Sequence, residues 1–152
     1  MRWRKIMDGV YEGERFKPEP LPVGEFKWHP DGNDRDRMNA RLRACVPNAE
    51  RMSIYNYRFP VTFPVGRDQL WHPDGTINGS THVLLLICCD DPALGTLFDR
   101  PGGSIFKGKP WTPYLFTKDA IHAGPPGPWS CMRTMYRQFL KLDEKNLLTT
   151  GD

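Results

Sequence analysis

The chain has 152 residues, one domain's worth by the usual size relation, with 21 basic and 18 acidic side chains and a net charge of +3. Fifteen prolines and fourteen glycines exceed ordinary usage and exclude a helical bundle or a long coiled coil, because proline breaks both. The charge balance is too weak for an obligate nucleic-acid binder, and the longest apolar run, Val83 to Cys89, is too short for a bilayer-spanning helix, which takes about 20 residues.

Residues 1–12 predict a short amphipathic turn with Trp3, Ile6, Met7 and Val10 on one side. The basic start is not followed by an apolar stretch, so no secretory signal is expected. Pro18, Pro20 and Pro22 predict an extended run, and 1–27 reads as a proline-rich arm. An amphipathic helix is predicted over about 34–46. Asn33 or Asp34 serves as its cap, Met38, Leu42, Cys45 and Val46 form its apolar stripe, and Pro47 ends it. A strand follows over about 53–63, where Tyr55, Tyr57, Phe59, Val61 and Phe63 share one face. Asn78-Gly79 signals a hairpin leading into 81–89, a continuous apolar run suited to a strand buried on both faces. Residues 99–128 hold clusters of Pro and Gly and read as a second arm, with a short strand at 113–117. A second amphipathic helix is predicted over about 129–143. Pro128 suits its start, and Met132, Met135, Tyr136, Phe139 and Leu140 mark its stripe. The expected fold class is thus a small, loop-rich α+β domain spanning 1–152, with a short sheet, two helices and two long extended arms.

An internal repeat relates residues 15–32 to 58–75. Both copies begin Arg-Phe, pass through Pro-Val-Gly and end Trp-His-Pro-Asp-Gly, at 28–32 and 71–75. His-Pro-Asp-Gly is a tight-turn signal, so each copy is expected to form a turn pinned by a buried Trp28 or Trp71. His29, Asp31, His72, Asp74 and His82 are the candidate metal ligands, since imidazole and carboxylate together suit a divalent ion. The cysteines at 45, 88, 89 and 131 contain no C-x-x-C spacing and are expected to be reduced thiols. Cys88 or Cys89 with His82 or His122 offers a nucleophile and a base, but an apolar setting raises a thiol's pKa.

There is no G-x-S-x-G element and no phosphate-binding loop. No catalytic residue and no cofactor are therefore expected, and the chain reads as a non-enzyme. Its Pro- and Trp-rich coil suits a structural, accessory subunit bracing a large multiprotein assembly, a mitochondrial energy-transducing complex (respiratory chain or ATP synthase) being favoured. Trp3, Trp28, Trp71, Trp111 and Trp129 are the expected interface anchors. The partners would be other protein subunits, without nucleic acid and without a transmembrane segment. The compartment would be intracellular and reducing, with the mitochondrion first. One alternative is a metal-dependent or small-molecule-binding domain built on the duplicated turns. Another is a ciliary microtubule-lining or virion structural protein.

Overall fold

Two parities of the apolar run 82–88 organise the molecule. In an extended strand successive side chains point to opposite faces, so an unbroken apolar run belongs between two layers. The computed structural model, which describes residues 1–16, 32–59, 71–75 and 79–150, shows this arrangement. Strands β1 (Arg4–Met7), β2 (Val10–Glu12), β3 (Glu50–Phe59), β4 (His82–Cys88), β7 (Tyr114–Thr117) and β9 (Arg133–Lys141) form a six-stranded sheet. Its order is β1-β2-β7-β4-β9-β3, and every neighbouring pair is antiparallel. Strands β5 (Leu97–Asp99), β6 (Ile105–Lys107) and β8 (His122–Ala123) form a second sheet in the order β6-β5-β8.

The core is two layers deep. On one face of β4, Leu84, Leu86 and Cys88 pack with Met38, Leu42 and Cys45 of helix α1 (Gly32–Cys45). On the other face, Val83, Leu85 and Ile87 pack with Phe98 of β5, Tyr114 and Phe116 of β7 and Phe139 of β9. The helix forms where the 3.6-residue stripe predicts it. Leu42, fully buried, contributes about 1.5–3 kcal/mol relative to an exposed position. No helix among the described residues is long and apolar enough to cross a membrane.

The α+β expectation is corrected here: the molecule is mostly β, with one α-helix rather than two. The predicted helix over 129–143 is instead β9. Its stripe of Met132, Met135, Tyr136, Phe139 and Leu140 fits helical spacing, but it equally fits a strand covered on both sides. Tyr136 and Leu140 face the helix layer, while Met135 and Phe139 face the second sheet. The strand is stabilised by pairing with β4 on one edge and β3 on the other. That cross-strand pairing is invisible to local periodicity.

The extended arms are corrected as well. Residues 1–12 fold as the β1-β2 hairpin, closed by Asp8-Gly9 with Gly9 at φ +78. Asp-Gly is a strong two-residue hairpin signal that reading the segment as an amphipathic turn overlooked. The run 99–128 carries β6, β7 and β8, each two to four residues long. Its glycines admit tight packing: a Cβ on Gly95, just upstream, would lie 1.9 Å from the Gly108 carbonyl oxygen.

The first copy of the repeat lies outside the described residues apart from residues 15–16 and position 32, and with it Trp28, His29 and Asp31. The end of the predicted strand at 60–63 and Asn78 also lie outside them.

Candidate metal centre

Residues 71–74 run beside a strand rather than as a tight turn, and Gly75, at φ +72, ends that course. The His72 and His122 backbones exchange N–H to carbonyl hydrogen bonds, both 3.0 Å long, which lays this segment antiparallel beside β8. Pro73 contributes no N–H, which suits a position at a sheet margin. Because i and i+2 share a face of an extended chain, His72 and Asp74 point the same way. Directly opposite residues also share a face, so His122 joins them, with its ring centroid 4.5 Å from that of His72. One ligand atom from each of His72, Asp74 and His122 lies within 4.8 Å of the others.

The electrostatics centre on Asp74, whose side chain is 4% exposed. Its Oδ1 is 3.2 Å from His122 Nε2, 3.6 Å from His72 Nε2 and 3.4 Å from Arg137 Nη1. Its Oδ2 is buried and has no hydrogen-bond partner among the described residues. Burial alone would raise the Asp74 pKa. The hydrogen bond and charge of His122, with the charges of Arg137 and His72, outweigh burial and hold the carboxyl below its ordinary value. The carboxylate is thus ionised in a buried place.

His122 is set for ligation. Its Nδ1 lies 3.0 Å from the Ala120 carbonyl oxygen, which can only accept, so Nδ1 carries a proton. Its Nε2 then faces the Asp74 carboxylate at 3.2 Å, a separation that holds either a proton on Nε2 or a cation between the two atoms. Phe98 and Phe116 back the ring, at centroid distances of 6.2 and 4.8 Å. The triad opens on a cavity of about 40 Å³, also lined by Leu85, Thr96, Arg133, Met135 and Arg137. That is room for an ion and a water. Arg133 is 1% exposed, donates from Nε to the Leu94 carbonyl at 2.9 Å and lies 5.0 Å from the Trp129 ring.

Of the sequence candidates, His72 and Asp74 meet here. His82 does not, since it has the parity of Leu84 and Leu86 and faces the helix layer. There its Nε2 lies 2.8 Å from Glu144 Oε1 and its Nδ1 2.7 Å from Thr81 Oγ1. His122, considered in the sequence only as a base for a cysteine, is the third member of the cluster. Nothing local marks it, because β8 pairing brings it in from a distant part of the chain. Of the expected interface anchors, Trp3, Trp111 and Trp129 are buried in the two core layers. Trp71 is 45% exposed, against the expectation of a buried ring.

The cysteines are not positioned as nucleophiles. Cys45, Cys88 and Cys89 are buried, and Cys131 is half-buried. Burial pushes the Cys45 thiol up to about 11 and, with Cys131 nearby, the Cys89 thiol up to about 12. Both thiolates therefore appear only at strongly alkaline pH. Iodoacetamide at pH 8 is expected to modify Cys131 first in the native protein and to reach Cys45 and Cys89 only after unfolding, as read by peptide mass spectrometry. Early labelling of Cys89 would contradict its placement.

No protein-family model and no curated protein matches the sequence. Among solved structures, the chain is similar to a Pseudomonas putida prolyl-4-hydroxylase, at 14% identity and TM-score 0.44, over 70% of this chain and 61% of that one. It is similar to the viral collagen prolyl hydroxylase from Paramecium Bursaria Chlorella virus-1 in its 2OG complex, at 10% identity and TM-score 0.45, over 89% and 81% of the two chains. A truncated form of the viral enzyme overlaps at 16% identity and TM-score 0.42, over 72% of this chain and 66% of that one. The chain thus spans less than two thirds of the bacterial enzyme and of the truncated viral form. At TM-scores below 0.5 the likeness carries no argument about chemistry.

The expectation of a non-catalytic accessory subunit bracing a mitochondrial complex is corrected at this point. Its own residues bring His72, Asp74 and His122 together on a cavity as a set that could hold a metal ion, which a bracing role does not require.

Proposed function

We propose that this chain is a mononuclear, non-haem metal enzyme of the oxygenase class, holding Fe(II) through His72, Asp74 and His122. The observation that carries the reading is the donor set itself. Two imidazoles and one buried carboxylate converge, and Asp74 Oδ2 has no hydrogen-bond partner among the described residues. Two histidines and one carboxylate with positions left open is the arrangement that suits ferrous oxygenases. The donors fit such an ion: one charge from Asp74 partly offsets it, and the Ala120 carbonyl fixes the His122 tautomer.

Ferrous iron, when bound, supplies the redox chemistry that no protein side chain has. The remaining functions fall to the chain's own residues. Asp74, His72 and His122 hold the ion at the margin of the small sheet. Leu85 and Met135 supply apolar wall to the same cavity. Arg133 and Arg137 line the same cavity and favour a co-substrate that bears carboxylates. The cavity has no room for a large substrate, so the substrate would meet the ion at the mouth. A hollow of about 410 Å³ runs along Ile54, Tyr55, Asn56 and Tyr57 of β3, and Arg137 of the triad cavity stacks on both tyrosines.

The test is anaerobic titration of the purified, metal-stripped chain with Fe(II), followed by admission of oxygen with 2-oxoglutarate. That dicarboxylate is the first to try, as the ligand of the viral hydroxylase complex. One equivalent of bound iron and oxygen-dependent release of succinate are expected. Absence of stoichiometric iron binding would overturn the reading. Stoichiometric binding without turnover of any 2-oxo acid would reduce it to a metal site without this chemistry.

A further inference from the structure

Arg137 lines the triad cavity and is held by both a carboxylate and aromatic rings. Its Nη1 is 3.4 Å from Asp74 Oδ1, against about 2.7–2.9 Å for a firm charge-assisted bond. Its guanidinium lies over three rings, 5.2 Å from the centroid of Phe139, 5.5 Å from Tyr55 and 5.9 Å from Tyr57. Those ring contacts do not involve Asp74, so the cation keeps its seat if the carboxylate is taken from it. Its Nε is buried and has no hydrogen-bond partner among the described residues, leaving a donor open.

We propose that Arg137 is the counter-cation that Asp74 exchanges for a metal ion, and that the released guanidinium completes a carboxylate-binding site, so that metal and carboxylate bind cooperatively. The proposal rests on the metal reading above. Asp74 carries a single negative charge and cannot neutralise both a divalent ion and a guanidinium. Metal on the carboxylate therefore weakens the Arg137 pair and leaves guanidinium donors without an acceptor in a mostly buried place, which is costly. An incoming carboxylate satisfies those donors and offsets the surplus positive charge. By linkage, each ligand then tightens the other by the same factor.

The experiment is calorimetric titration of the full chain with Co(II), with and without saturating succinate. Succinate has two carboxylates but no 2-oxo group through which to chelate the ion. In the wild type, succinate is expected to tighten Co(II) binding by about fivefold or more. In R137Q, Co(II) without succinate should bind at least as tightly as in the wild type, and succinate should have no effect. R137K keeps the charge but loses the planar fork and the ring stacking, so its coupling should fall below that of the wild type. Equal coupling in the wild type and the variants would overturn the proposal. So would an R137Q that binds Co(II) about tenfold more weakly without succinate, since Arg137 would then be an outer support of the ligand. If R137Q does not fold, R137K decides alone by the same comparison. A wild type that binds no Co(II) refutes the metal reading itself, whereas one that binds Co(II) without regard to succinate refutes only the exchange.

Discussion

Asp74→Ala is expected to abolish stoichiometric Fe(II) binding while leaving the fold intact. Asp74 supplies the only negative charge of the triad, and without it two imidazoles and a nearby guanidinium face the ion. Loss of even an outer partner of a metal ligand costs up to about 100-fold in affinity, and loss of the charged ligand itself should exceed that. The fold should survive, because Asp74 sits on a segment at the margin of the small sheet and takes no part in either core layer. Anaerobic equilibrium titration reads the affinity, and far-UV circular dichroism confirms that the variant is folded. An unchanged titration would mean that His72, Asp74 and His122 are neighbours without a ligand role. His122→Ala is less clean as a test, since its ring also packs on Phe116 and Phe98.

Phe139→Ala carries the largest expected effect on stability, about 3–5 kcal/mol for a buried aromatic cut back to a methyl group. Phe139 is 1% exposed, stands opposite Val83 of β4 and Ser53 of β3, and meets the Tyr55 ring edge-on at 5.7 Å. Three strands lose contacts at once, and the neighbouring strands cannot close the gap without breaking register. For a chain of this size each kcal/mol moves the melting temperature by roughly 2–4 °C, so a fall of about 10 °C is expected in a thermal scan. The effect should reach the site, because Phe139 is also one of the three rings under Arg137. Ile54→Ala on β3, at a side chain 47% exposed, is the control and should stay within about 0.5 kcal/mol. A drop for Phe139→Ala no larger than the control's would place Phe139 outside the core.

The sequence by itself determined the elements whose information is local. The helix over 32–45 follows from the spacing of Met38, Leu42 and Cys45, and β3 from the alternation of Tyr55, Tyr57 and Phe59. The unbroken apolar run of β4 marked it as a strand between two layers. His72 and Asp74 were legible as ligand candidates because histidine and aspartate are the residues such chemistry needs. The state of β9 was decided only by the tertiary structure. Its apolar residues fit both a helical stripe and a strand buried on two faces, and pairing with β3 and β4 resolves the ambiguity in favour of the strand. The Pro- and Gly-rich run 99–128 looked like an arm because β6, β7 and β8 are too short to declare themselves; each is stable only against a partner strand. The site was decided the same way. The extended course of 71–74 puts His72 and Asp74 on one face, and pairing across β8 delivers His122 from a part of the sequence with no motif of its own. Strand parity sends His82 to the opposite side of the large sheet. Ligand types are a property of residues and can be read one at a time. Convergence is a property of non-local pairing, whose register no short window of sequence contains.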